Sequence, residues 1–121
     1  MSKLYRMIDP LVLLAATGGD QELFHSLSLT FLDTAPALLA RLDQACGAGA
    51  LAPVVHACHT LRGTTVLLGA HEISTLLAEL ERQARRGELP GAAALQRVAQ
   101  LFALTCEEVR HSIAGHGGAV R

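Results

Sequence analysis

What constrains this chain most is the spacing of its apolar residues between glycine and proline breaks. Gly18-Gly19, Gly47-Ala48-Gly49, Gly69 and the segment 87–91 divide it into five stretches. Within each stretch the apolar positions recur at intervals of three and four, the period of one buried helical face. The first stretch is short: Asp9 can cap it, Pro10 suits the first helical position, and residues 11–17 follow. From the Asp20 cap a long stretch runs to about Cys46, with Phe24, Leu27, Phe31, Ala35, Leu38, Leu42 and Ala45 on one side. Pro36 lies inside it and should kink that helix or split it in two, since it removes a backbone donor and crowds the preceding turn.

The spacing predicts a third helix over about 51–68, with a buried stripe of Val54, Ala57, Cys58, Leu61, Thr65 and Leu68. A fourth covers about 71–86, burying Ile73, Leu76, Leu77, Leu80 and Ala84, with Gly87 as its stop. The fifth uses Leu95, Val98, Ala99, Phe102, Cys106, Val109 and Ile113, and the tail from Gly115 is expected to fray. No strand-period alternation competes. Short loops between long amphipathic helices imply antiparallel neighbours. The expected fold is therefore all-α, an up-and-down four-helix bundle with a short extra N-terminal helix. It forms a single domain over 1–121, with its core at about 8–113 and a monomeric state.

Composition narrows the function. The apolar half of the chain is mostly Leu, Ala and Val, with one Tyr, three Phe and no Trp, which suits closely packed helices. A net charge of −1 argues against nucleic-acid binding, which needs a concentrated basic surplus. Cys46, Cys58 and Cys106 form no C-x-x-C pair and fall on or beside apolar stripes, so free buried thiols in a reducing compartment are expected. No uninterrupted apolar run reaches the roughly 18 residues needed to cross a bilayer, and Asp9-Pro10 interrupts any signal-like start. A cytoplasmic protein with no direct membrane contact is the expectation.

The third helix carries the chemistry. At about 100° per residue, Val55, His56, His59, Arg62, Gly63 and Val66 fall opposite the core stripe. A surface histidine is usually just a solvated polar residue. Here, however, Arg62 stands one turn away at i+3, and Gly63 at i+4 costs the helix about 1 kcal/mol relative to Ala. An unprotonated, accessible imidazole nitrogen is a nucleophile. The guanidinium disfavours the imidazolium and offers donors to an attached phosphoryl group, and the missing side chain leaves room beside the ring. His56 shares the face, but two histidines do not make a zinc site and no further ligand completes one. His25, His71, His111 and His116 read as ordinary polar positions.

The stretch 56–70, His-Ala-Cys-His-Thr-Leu-Arg-Gly-Thr-Thr-Val-Leu-Leu-Gly-Ala, resembles the signature of bacterial histidine phosphotransfer domains, approximately A-H-x-L-K-G-S-x-x-x-x-G-A. His59, Leu61, Gly63, Gly69 and Ala70 match in register, and segments 31–39 and 77–87 resemble the flanking helices. The resemblance implies that His59 accepts and donates a phosphoryl group through Nε2 and that Gly63 gives clearance. It also implies that Arg62 stands in for the usual Lys, Cys58 for a small Ala and Thr64 for Ser. Glu81 occupies the place where the family sets a polar side chain against the other ring nitrogen. It could equally pair with Arg85 at i+4, within a solvated cluster of Glu79, Arg82, Arg85 and Arg86.

Leu29, Leu32 and Leu39 lie off the second stripe. With His56 and Val66, Leu29 and Leu32 are candidate contacts for a receiver domain, because the family docks receivers through an apolar patch near the histidine. The implied partners are a response-regulator receiver and a hybrid sensor histidine kinase. The chain would be a phosphocarrier with no ATP site or metal of its own, Mg²⁺ residing on the receiver. The alternative is a helical adaptor that binds a receiver or kinase domain without being phosphorylated.

Overall fold

The computed structural model describes the backbone of residues 5–119 and the side chains of 5–114. Five helices follow in order: α1 Pro10–Ala16, α2 Gln21–Gly47, α3 Leu51–Leu67, α4 His71–Arg85 and α5 Ala92–Ala119. Neighbours in sequence are neighbours in space. α3 packs most extensively on α4 and next on α2, while α5 closes the ring against α2 and α4. α1 lies against α2 and α3. The all-α bundle with its extra N-terminal helix is the architecture anticipated from the apolar spacing.

The caps fall where expected. Asp9 accepts from the Leu11 N–H at the start of α1, and Asp20 from the Leu23 N–H at the start of α2. Pro36 does not split α2, which is assigned as one helix of 27 residues. Its ring is on the exposed side, where the carbonyl deprived of a donor can turn to water. By length and composition alone α2 is long and apolar enough to cross a bilayer, although charged and polar residues interrupt its apolar run. Its inner side, Phe24, Phe31, Ala35, Leu42 and Ala45, is part of the bundle core.

On three helices, side-chain placements differ from expectation. On α2, Ser28 is buried and Leu27 is 39% exposed. Counted from Phe24, Ser28 lies about 40° to one side and Leu27 about 60° to the other, and the core takes the nearer one. On α4, Leu76 is half-buried rather than enclosed. On α5 the buried face is rotated: Ala99 is exposed, while Leu101, Thr105 and Ser112 are enclosed. Thr105 Oγ1 donates to the Leu101 carbonyl at 2.7 Å and Ser112 Oγ to that of Val109 at 2.9 Å. Each hydroxyl is satisfied within its own helix and can enter an apolar core without desolvation loss. α5 is helical to Ala119, so the backbone from Gly115 is regular as far as it is described. The last two residues of the expected frayed tail, and the first four of the chain, lie outside the described residues.

The α3–α4 turn is fixed by Gly69 at φ +68°, where a Cβ would stand 2.8 Å from Asp9 Cβ and 3.0 Å from the Asp9 carbonyl oxygen. That close approach lets the Asp9 N–H donate to the Leu68 carbonyl at 2.9 Å. Just before Asp9, the backbone N–H groups of Arg6, Met7 and Ile8 donate to the Glu108 carboxylate on α5. The N-terminal segment is thus clamped at both edges of the bundle.

Candidate functional site

The site is built on α3 and α4, the most closely packed pair. Val54, Cys58, Leu61 and Thr65 are fully enclosed along α3, which turns the opposite side of the helix outward. A buried hydroxyl pair fastens the register: Thr65 Oγ1 and Ser74 Oγ are 2.7 Å apart. Thr65 also donates to the Arg62 carbonyl at 3.1 Å, so in that arrangement Ser74 is the donor across the helix pair. Ser74 was not anticipated, since a serine reads as polar surface unless its partner is known.

His59 stands on the outer side of α3 with its side chain 62% exposed. Glu81 reaches it from α4, and its side chain is only 8% exposed. His59 Nδ1 lies 3.2 Å from Glu81 Oε2. Arg62 Nη2 donates to Glu81 Oε1 at 3.3 Å, and Arg85 Nη2 to Oε2 at 2.8 Å. The two readings of Glu81 are therefore not exclusive: one carboxylate takes the ring and both arginines. Arg85 belongs to this cluster rather than to a separate solvated face; its i+4 spacing from Glu81 was the only sequence signal. Arg82 pairs with Glu79, outside it.

Burial would raise the Glu81 carboxyl, but hydrogen bonds from Arg85, then Arg62, then His59, outweigh it and hold the group below its ordinary range. An ionised Glu81 can only accept. Its partner on the imidazole must then be Nδ1–H, which leaves the Nε2 lone pair outward. In that tautomer the 3.3 Å approach of Arg62 Nη2 to Nδ1 is a contact without a hydrogen bond, because two donors face each other. Arg62 Nε is buried and unpartnered among the described residues.

Gly63 borders the ring one turn on, and a Cβ placed there meets nothing within 4 Å. Nothing in the resting protein requires glycine at that position. Thr64 donates its hydroxyl to the Leu61 carbonyl and is committed to its own helix. Cys58 is buried, and that burial chiefly, with Cys46 and Glu81 adding to it, pushes its thiol up to about 12. It offers no thiolate to compete with His59.

Of the other candidates, His56 lines a groove of about 350 Å³ between α2 and α3 with Leu38, Arg41 and Thr60. Leu29 and Val66 are exposed and Leu32 is half-buried. Leu29 and Leu32 share a second, shallower hollow on α2. No group of three or more His, Cys, Asp and Glu able to hold a metal ion occurs among the described residues.

The family model described as Hpt domain matches residues 26–114. The crystal structure of histidine-containing phosphotransfer protein B from Pseudomonas aeruginosa PAO1 superposes with a TM-score of 0.80 at 27% identity, covering 88% of this chain and 94% of that one. No curated protein sequence matches significantly. Hpt domains are phosphocarriers that work with receiver domains and histidine kinases in two-component phosphorelays. With the match spanning the site, all of α3 and α4 and most of α2 and α5, the chain is a member of the Hpt domain family.

Proposed function

We propose that His59 is the phosphoacceptor of this domain. It takes the phosphoryl group from an aspartyl phosphate on a receiver domain, or from a hybrid sensor kinase through its receiver, and passes it to a response regulator. The observation that carries the reading is an outward imidazole whose inner nitrogen lies 3.2 Å from a buried, ionised carboxylate.

The transfer balances with no proton moving. The Nε2 lone pair forms the N–P bond while the P–O bond to the aspartyl oxygen breaks, and that pair leaves with the carboxylate. Positive charge develops on the ring as Nε2 attacks. Glu81, already bonded to Nδ1–H, lies where it stabilises that charge. Arg62 supplies donors for the phosphoryl oxygens, and its flat fork replaces the compact ammonium usual in the family. Gly63 leaves space for the group and for the receiver surface. Mg²⁺ for the in-line displacement would come with the receiver.

The receiver docks on the face bordered by Leu29, Leu32, His56 and Val66. α2 and α3 run antiparallel from the 48–50 turn, and Leu38 faces Thr60 across their groove. The same pairing sets Leu32 about level with Val66. A charged residue at Leu29, an exposed position, should slow transfer with no loss of folding; unchanged rates with a purified receiver would remove Leu29 from the interface. The reading further places the protein in the cytoplasm as a monomeric carrier. Incubation with phosphorylated receiver and Mg²⁺ should give an acid-labile, base-stable label on the wild type and none on His59→Gln. A wild type that binds receiver yet never labels would instead be an adaptor.

A further inference from the structure

His59 faces a conflict between orientation and charge. A carboxylate beside an imidazole favours the imidazolium. The imidazolium carries protons on both nitrogens and has no lone pair with which to attack phosphorus. The group that orients the ring therefore threatens to disarm it.

The charges meeting at the site resolve this by number. Glu81 contributes one negative charge, while Arg85 on α4 and Arg62 on α3 contribute two positive ones through direct bonds. The cluster is net positive before His59 takes a proton. The neighbouring groove adds Arg41 from α2 and His56 from α3 and no carboxylate. Arg82 on α4 is occupied by Glu79. The two arginines also differ in freedom. Arg62 is the one on the helix of the nucleophile, and a phosphoryl group would draw it off Glu81. Arg85 makes the shorter bond to Glu81, at 2.8 Å against 3.3 Å, and sits one helical turn beyond it.

We propose that Arg85 is a positioning residue for phosphotransfer. It keeps Glu81 ionised and turned so that Oε2 takes the Nδ1–H, and its charge cancels the pull of Glu81 on a second proton. His59 then stays neutral with Nε2 free, and Glu81 stays balanced when Arg62 turns to the phosphoryl group. This rests on the reading of His59 as phosphoacceptor.

The test is the pH–rate profile of phosphorylation of the purified chain by phosphoramidate, for wild type, Arg85→Gln and Arg85→Lys, with ring ¹⁵N shifts recorded alongside. Arg85 is 60% exposed, and thermal melts confirm that each variant is folded. In Arg85→Gln the acid limb should move up by about one pH unit, with rates within about threefold of wild type at the alkaline end. Arg85→Lys should restore the profile, and wild-type ¹⁵N shifts should report Nδ1–H. A uniform loss of rate with an unmoved midpoint, or an Nε2–H tautomer in the wild type, overturns the proposal. A wild type that takes no label at any pH, either from phosphoramidate or from a phosphorylated receiver with Mg²⁺, overturns the phosphoacceptor reading and this proposal with it. A labelled wild type with an unmoved Arg85→Gln midpoint overturns this proposal alone.

Discussion

Replacing Gly63 with alanine should make this protein more stable and a poorer phosphocarrier. The position lies inside α3, is exposed, and has open space where a Cβ would be built. A methyl group there meets no neighbour, so the change in stability is the intrinsic helix preference of Ala over Gly, about 1 kcal/mol. Part of that gain comes from the lower entropy of the unfolded chain. For 121 residues, with an unfolding entropy near 2.1 cal/mol/K per residue, it corresponds to a rise in melting temperature of about 4 °C. The functional cost appears only when a phosphoryl group or receiver surface occupies the space beside His59. A loss of transfer rate of about tenfold would correspond to 1.4 kcal/mol of crowding in the transition state. Gly63→Leu, which keeps helix propensity while adding bulk, should slow transfer further. Calorimetry and single-turnover transfer from a phosphorylated receiver read the two effects separately. Absence of a stability gain would refute the open environment. A gain accompanied by wild-type transfer, in Gly63→Leu as well as Gly63→Ala, would refute the clearance role.

Gly69→Ala should do the opposite. Its φ of +68° and the 3.0 Å approach of the Asp9 carbonyl oxygen to a built Cβ predict a loss of roughly 2–3 kcal/mol, measured by urea unfolding; a loss under about 0.5 kcal/mol would contradict the close approach. Glu81 makes stability pH-dependent. Its carboxyl is held below the ordinary value of 4.5 in the folded protein, so the unfolded chain binds the proton first as pH falls. The Glu81 contribution is complete above about pH 5.5 and is lost progressively below about 4.5, toward the folded value. Glu81→Gln should lack that component, and parallel acid denaturation of wild type and variant would exclude it.

The third helix was legible because its outward residues announce themselves by exception. A glycine at a helix interior and a histidine with arginine at i+3 stand out against an unbroken stripe of Val54, Ala57, Cys58, Leu61 and Thr65. Arg85 did not stand out, because an arginine near a helix C-terminus among other charges has the pattern of a solvated face. Only the fold shows that Glu81 is the one acid of that group turned inward. Ser74 and Ser28 were missed for a related reason. An apolar-period argument assigns hydroxyl residues to the surface, whereas Ser74 is buried by its bond to Thr65 on the neighbouring helix, and Ser28 is buried although its Oγ has no hydrogen-bond partner among the described residues. The rotation of α5 follows from the same bias, since Thr105 and Ser112 are the residues that reveal its true inner face.

The central claim is that a phosphoryl group resides on Nε2 of His59. A ¹H–³¹P correlation experiment on the ¹⁵N-labelled protein, after transfer from a phosphorylated receiver in Mg²⁺, addresses it directly. The account predicts one phosphoramidate resonance coupled to the His59 ring through Nε2, absent from His59→Gln. Phosphorus on Nδ1, on another residue, or undiminished in His59→Gln would contradict it.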